Sequence, residues 1–585
     1  MDEHKKDQLN NLRHSCAHLL AAAVMELWPK AKRTIGPAIE HGFYFDFDFG
    51  ETKISENDFP KIETKMRELL PAWNSFERLV LNKNEATKQY SNNQYKQELI
   101  QEFSVKGETL TFYKSGNYSD LCRGGHVEHP NQDLKHFKLL SIAGAYWRGS
   151  EKNKMLTRIY GTCFETKEKL EKYLWQIEEA KKRDHRKLAQ ELDLIVFSDL
   201  VGSGLPLYTP KGAILRNAVY NFSRELNQKI GYGETALPSV NRAELFKVSG
   251  HYDKYKADMF TVHSHYSDEE FFLKPMNCPQ HCVVYASQPR SYRDLPVRLS
   301  DFSVLYRDER PGEIHGLLRS RAFTQDDGHC FCREDQIEEE FSRVLGVVDE
   351  ALKIYGFEYW IRLSLHDPKH QEKYLGNNEV WKRAEAKLKS LVTKKNLPYR
   401  EAVGEAAIYG PKLDFMVQDS LGREWQLSTI QLDMIMPARF GLTYTDADGT
   451  QKTPFMIHRA IIGSERFIAI LIEHFGGKFP LWLSPVQVVL VPIADRHHEA
   501  AIRVQKELQA AGIRVELDSR AESMQNKIRA LALQKVPFIG IMGDKEIAAQ
   551  PPSISIRGRD NKSHVLTVTE FITQLRNDIE TKIQS

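Results

Sequence analysis

The chain has 585 residues, 41% hydrophobic and 27% charged, with a formal net charge of +2. Its length exceeds a single core and suggests three or four domains at about 150 residues each. No apolar run approaches the roughly 20 residues that cross a bilayer, and so balanced a charge excludes bulk electrostatics as the hold on nucleic acid, leaving that to local basic patches.

Residues 14–27 (HSCAHLLAAAVMEL) are rich in helix formers, and residues 42–49 (GFYFDFDF) alternate aromatic and acidic side chains with the period of a half-buried strand. His14 and His18 stand four apart on one helix face. Cys122 and His126 repeat the same spacing. On their own these two pairs read either as a four-ligand metal site or as unrelated core and surface residues. Residues 166–193 form a charged helical segment with a basic run at 181–187, either a solvated face or a connector touching phosphates.

Residues 306–332 (YRDERPGEIHGLLRSRAFTQDDGHCFC) are two polar strand-like runs joined by a loop with Pro311, Gly312 and Gly316. Arg307, Arg319 and Arg321 suit phosphate oxygens, which a guanidinium fork matches, or else form a surface ion-pair network. Beyond Pro485 the texture changes. Strands are expected at 486–491, 513–517, 537–542 and 553–557, with helices at 498–511 and 522–535, a compact α/β domain of about 100 residues. Seven cysteines make no disulfide framework. Reduced thiols and a polar start without an apolar signal core predict a cytoplasmic protein.

Arg307-Asp308-Glu309, a loop, then Arg321-Ala322-Phe323 resembles motif 2 of class II aminoacyl-tRNA synthetases. Gly463-Ser464-Glu465-Arg466 is similar to motif 3, and Gly204-Leu205-Pro206 with the helix to about Ile230 resembles motif 1. Within the class, Lys274-Pro275-Met276-Asn277-Cys278-Pro279, Phe323-Thr324-Gln325-Asp326-Asp327, Tyr409-Gly410-Pro411-Lys412 and Met456-Ile457-His458-Arg459-Ala460 resemble the threonyl-specific family. The matches run from His14 to Arg557. The resemblance implies a multidomain α+β and α/β chain: an N-terminal α+β editing domain (1–164), a helical linker (165–194), a class II antiparallel-sheet catalytic domain (195–482) and an α/β anticodon-binding domain (483–585).

It also implies roles. Arg307, Arg319, Arg466 and Lys412 would be catalytic; Arg307, Glu309, Arg319, Phe323, Gln426 and Arg466 would hold ATP with Mg2+; Gln325, Asp327 and Tyr409 would hold L-threonine. Cys278, His329 and His458 would bind one Zn2+, leaving a fourth position open for substrate. His14, His18, Lys96, Asp120, Cys122 and His126 match the editing domain, which implies water-mediated, metal-free hydrolysis of seryl-tRNA rather than a second zinc. Arg529, Lys535, Glu546 and Arg557 fall where the family reads anticodon bases of tRNA(Thr), and motif 1 implies a homodimer.

The chain departs from the family pattern in four ways. It has no counterpart of the ubiquitin-like domain that precedes the editing domain in many relatives, and motif 3 is one residue short before Glu465. Leu427 replaces a frequent Cys, and Ala521 a frequent Asn. Rival readings are a non-catalytic RNA-binding paralogue, an inhibitor-resistant duplicate, a free-standing hydrolase of mischarged tRNA, and another class II specificity.

Overall fold

The aromatic–acidic alternation becomes the strand Gly42–Asp48, whose Phe43, Phe45 and Phe47 pack beneath the helix Glu3–Leu27. A computed structural model describes residues 3–462 and 465–583, so Gly463 and Ser464 of the motif 3 match lie outside the described residues. The chain divides between Glu178 and Glu179 into two units, inside the helix Lys167–Arg183 expected as linker.

In the first unit, Gly42–Asp48, Met155–Phe164 and His136–Tyr146 form an antiparallel sheet under the helix Glu3–Leu27. A smaller antiparallel sheet joins Glu77–Val80, Thr111–Ser115 and Tyr118–Leu121. It carries Asp120 and leads directly into Cys122.

In the second unit an eight-stranded sheet places Val297–Asp301, Asp327–Cys332, Phe455–Ala460, Glu424–Asp433, Lys412–Gln418 and Tyr359–Leu365 side by side, all antiparallel. Only the two outer strands, Gly233–Glu234 and Tyr399–Val403, pair parallel. Side chains alternate between faces of a strand. Cys330, Ile457, Leu432, Ile430, Leu413 and Phe415 therefore enter the main core with the helices Pro210–Lys229, Ile337–Ile354 and Glu465–Phe475. Their neighbours His329, His458, Gln431 and Lys412 are left for the other face. Gly212, in the first turn of the helix begun by Thr209 and Pro210, lets that helix approach Leu194; a Cβ there would lie 1.8 Å from the Leu194 carbonyl oxygen.

The single charged helix expected at 166–193 is instead two helices, Lys167–Arg183 and His185–Glu191. Asp184 breaks it, leaving helical geometry so that its side chain can accept from Arg186 N. The break delivers His185 inward. Its Nδ1 donates to Glu473 Oε1 at 2.7 Å and its Nε2 accepts from Leu317 N at 3.1 Å, joining the helix Glu465–Phe475 to the loop of the motif 2 match.

At the C-terminal end, Val515–Leu517, Val488–Pro492 and Phe538–Met542 pair parallel, and Ser553–Gly558 and Ser563–Thr567 extend the sheet antiparallel. The strand Ser563–Thr567 and the helix Val568–Glu580 extend beyond the expected elements.

Candidate functional sites

Every residue expected for ATP, threonine or metal lines one cavity of about 820 Å³ on the open face of the eight-stranded sheet. The register explains the convergence: His329 lies directly opposite His458, and Gln431 pairs with both His458 and Lys412.

The nitrogens His329 Nε2 and His458 Nδ1 face each other at 3.0 Å, and with Cys278 Sγ they form a ligand set within 4.8 Å. What their lone pairs do is fixed from behind. His458 Nε2 donates to Asp433 Oδ2 at 2.9 Å, so Nδ1 is bare. The Thr235 hydroxyl donates to the Ser300 carbonyl and accepts from His281 Nε2 at 2.9 Å. His281 Nδ1 is then bare and accepts from His329 Nδ1 at 2.6 Å, which leaves His329 Nε2 bare as well. Two lone pairs thus point at each other beside a thiol. They repel unless a cation lies between them, and His with a buried hydrogen-bonded partner is the usual build of a metal ligand. Burial holds His329 well below the usual histidine range and pushes the Cys278 thiol well above its own. A bound cation reverses the second effect. The donor set fits a metal that prefers nitrogen and sulfur.

Tyr409 stacks on His458 with ring centres 4.5 Å apart, and its hydroxyl donates to Gln431 Oε1 at 2.6 Å. Asp327 sits beside the cluster, 3.9 Å from His329 Nε2, and burial pushes its carboxyl up to about 6 against the pull of His458 and Arg459. Gln325 lines the same wall.

Farther along the cavity, three guanidiniums converge. Arg466 donates through Nε to the Leu318 carbonyl at 3.0 Å. Its partial enclosure, then the like charges of Arg307 and Arg319, hold it below the usual arginine range. Arg307 lies over the Phe323 ring, 5.0 Å from its centre. Arg319 and Glu309, both expected at ATP, are ion-paired to each other at 2.7 Å. Lys412 and Gln426 are bound to the buried Asp414 at 2.7 and 2.8 Å.

Sequence reasoning missed His251, His281, Asp433 and Asp414. His251 lines the cavity; its Nδ1 binds Ser249 Oγ at 2.8 Å, and its buried Nε2 has no partner among the described residues. The only signal for it was a histidine following Gly250, too common to single out.

In the first unit, His14, His18, Cys122 and His126 also place their ligand atoms within 4.8 Å of one another. His14 Nδ1 donates to the Gly36 carbonyl at 3.2 Å, leaving Nε2 to accept from the Cys122 thiol at 3.0 Å. His126 stacks on Phe76 with centres 4.0 Å apart, and its Nδ1 is 3.2 Å from Ser15 Oγ. His18 Nδ1 is buried without a partner among the described residues. Burial holds all three imidazoles low, His126 at about 3, and pushes the Cys122 thiol up to about 11. Lys96 and Asp120 form a buried ion pair at 2.7 Å. Asp120 also accepts from the hydroxyls of Tyr90 and Tyr118. Burial pushes its carboxyl up, but Lys96 and Arg33 outweigh that and hold it below the usual carboxylate range.

The four anticodon expectations lie on separate elements. Arg529 is on the helix Met524–Leu533, and Lys535 follows it at φ 57° with its carbonyl accepting from Arg559. Glu546, on the short helix Asp544–Ala548, uses one carboxylate oxygen to cap Gly543 N at 2.9 Å. Arg557, on Ser553–Gly558, donates to Asn561 Oδ1 at 3.0 Å.

Comparison with known families matches residues 260–475 to the tRNA synthetase class II core domain (G, H, P, S and T). Residues 487–578 match an anticodon binding domain, and residues 110–160 the threonyl and alanyl tRNA synthetase second additional domain. The sheet, its cavity and these domains define a class II aminoacyl-tRNA synthetase. A threonine–tRNA ligase of Rubrobacter xylanophilus is 47% identical over 571 residues, 97% of this chain and 88% of that one. One of Thermotoga neapolitana is 46% identical over the same shares. The crystal structure of the RNA binding domain of threonyl-tRNA synthetase from Cryptosporidium parvum Iowa II superposes with a TM-score of 0.64 at 38% identity, covering 67% of this chain and 98% of that one. The chain belongs to the threonine–tRNA ligase family. No helix of the described residues is long and apolar enough to cross a membrane.

Proposed function

We propose that the 820 Å³ cavity is the synthetic site of a threonine–tRNA ligase and the His/Cys cluster of the first unit its editing site. The observation that carries the first half is the pair of bare imidazole nitrogens, 3.0 Å apart, beside Cys278. Zinc held by Cys278, His329 and His458 would supply a Lewis-acid contact for the amino group and hydroxyl of threonine. Shape alone rejects an isostere such as valine by only about a hundredfold, so a contact that requires the hydroxyl is what specificity needs. Asp327 accepts the hydroxyl proton in a hydrogen bond, with Gln325 and Tyr409 flanking the amino acid.

Phe323 stacks on the adenine of ATP and Glu309 meets its edge, with Gln426 beside it. Arg307, Arg319, Arg466 and Lys412 neutralise the phosphates while the threonine carboxylate attacks the α-phosphorus and pyrophosphate leaves; the Mg2+ that accompanies ATP would add positive charge there. Little covalent work falls to these residues; position and charge set the rate. The adenylate then passes threonine to tRNA(Thr), whose anticodon Arg529, Lys535, Glu546 and Arg557 read. Serine keeps the hydroxyl and loses one methyl, worth only about 1–3 kcal/mol. His14, His18, Cys122 and His126, with Lys96 and Asp120, correct that error by orienting a water against the seryl ester without a metal.

A homodimer is supported by exposed apolar side chains at and just before the motif 1 match, Val196, Phe197, Val201, Leu207 and Leu200, the last 99% exposed. Seven free cysteines suit the cytoplasm. ATP–pyrophosphate exchange with threonine, serine and valine, run alongside metal analysis, tests the reading. Threonine-dependent exchange and one zinc per chain are expected; a folded, zinc-loaded protein without exchange would point to an RNA-binding paralogue instead.

A further inference from the structure

Behind the synthetic cavity lies a carboxylate that no motif singled out. Asp414 stands two residues past Lys412 on the strand Lys412–Gln418, so both side chains leave the same face while Leu413 and Phe415 enter the core. It is fully buried, yet five side chains from three adjacent strands converge on it. Oδ2 accepts from Lys412 Nζ at 2.7 Å, Ser364 Oγ at 2.7 Å and Arg362 Nη2 at 3.0 Å. Oδ1 accepts from Gln426 Nε2 at 2.8 Å and Thr429 Oγ1 at 3.0 Å. Arg362 Nη2 also donates to Gln426 Oε1 at 2.9 Å, which closes the network. Lys412, Gln426 and Thr429 line the cavity, whereas Asp414, Arg362 and Ser364 lie behind it.

We infer that Asp414 is a positioning residue of the synthetic site: it aims the Lys412 ammonium and fixes the Gln426 amide without touching substrate. A lysine has a flexible four-carbon stem and three donors. Spending one donor on a buried anion leaves the other two directed into the cavity. The amide is fixed the same way, because a flip of Gln426 would set its oxygen against Asp414 and its NH2 against Arg362. Two cations, Lys412 and Arg362, share this carboxylate; Arg362 also meets Glu405 at 3.7 Å, so loss of Asp414 falls chiefly on the charge of Lys412.

The inference rests on the proposed role of Lys412, and the test separates the two. Threonine-dependent exchange is measured for Lys412→Met, Asp414→Glu and the double variant, with melting temperature and zinc content as controls. Lys412→Met should lower kcat at least about 100-fold. Asp414→Glu keeps the charge but displaces it by one methylene, and should lower kcat about 10- to 100-fold with both KM values within about threefold. Because Asp414 acts mainly through Lys412, the two losses should not multiply: the double variant should be no more than about fivefold slower than Lys412→Met, a margin that belongs to the Gln426 amide. Wild-type kcat in Lys412→Met would remove the role of Lys412 itself. A slow Lys412→Met beside a normal Asp414→Glu, or losses that multiply in the double variant, would overturn the positioning role. Should Asp414→Glu fail to fold, Ser364→Ala loosens the same carboxylate: a loss of about two- to fivefold in kcat that vanishes in the Lys412→Met background is expected, and an unchanged kcat overturns the inference.

Discussion

The synthetic cavity and the first unit's cluster are built from the same side chains, one cysteine and two or three histidines, and differ in what stands behind them. In the cavity, His458 is backed by the Asp433 carboxylate and His329 by the His281–Thr235 relay, so both rings present bare nitrogens to a common point. In the first unit, His14 is backed by a carbonyl, His126 by a hydroxyl, and His18 by no partner among the described residues. The Asp120 carboxylate is consumed by Lys96, Tyr90 and Tyr118. The lesson is that equal ligand distances do not make equal sites. The Asp433 carboxylate raises the basicity of His458 toward a cation in front of it, and no carboxylate among the described residues is hydrogen-bonded to His14, His18 or His126.

The sharpest way to break this comparison is to remove one ligand from each side. Cys278→Ala should abolish threonine-dependent exchange, by more than about 1,000-fold, and release the metal; a metal-free variant with normal exchange would end the distinction. His14→Ala with His18→Ala should leave the metal content and threonylation within about threefold of wild type, while clearance of seryl-tRNA falls about 100-fold or more. A change from two metals per chain to one in that variant would show that the first unit also binds an ion.

Smaller effects refine it. Asp433→Asn should weaken metal affinity about 10- to 100-fold in chelator competition, with the melting temperature of the metal-loaded protein little changed. The smallest effect is electrostatic. His126 is held at about 3 by burial and then by His14, below its ordinary 6.5. Its contribution to stability is therefore in place above pH 6.5 and lost as pH falls toward 3. Between about pH 7 and pH 5 that amounts to about 1–2 kcal/mol, and His126→Gln should flatten the pH dependence of thermal melting by this amount. An unchanged slope would show that the ring is not held neutral.

Much of the site was legible because its residue types carry their chemistry openly: Cys278, His329, His458, Arg307, Phe323 and Arg466 stand in motifs with a recognisable order. The residues behind them were not. Asp433 and Asp414 meet partners across strand pairings, His281 reaches from the helix Cys278–Ala286 to the strand Asp327–Cys332, and all three are buried; a buried polar residue in a sequence cannot be told from an ordinary core position. His281, for instance, reaches His329 across 48 positions. The fold shows the same limit. The strands at 42–49 and 486–491 follow local periodicity, whereas the sheet order that sets Phe455–Ala460 between Asp327–Cys332 and Glu424–Asp433 depends on contacts no window contains. Asp184 ended a helix that composition alone would have continued. Glu546 was assigned to a base by resemblance, and in the fold one of its oxygens serves its own helix.

With ATP bound where Arg307, Arg319 and Arg466 converge, as proposed above, nucleotide supply would be coupled to the durability of the protein itself. Arg319 is already paired with Glu309 and Glu313, so the cost of like charge falls on the partly enclosed Arg466, and a polyphosphate settling beside it would offset that cost. At a hundred times its dissociation constant such a ligand adds about 2.7 kcal/mol. Added salt weakens that hold by screening the charges. Starvation for ATP would then act twice, halting adenylate formation and leaving the idle enzyme easier to unfold and degrade.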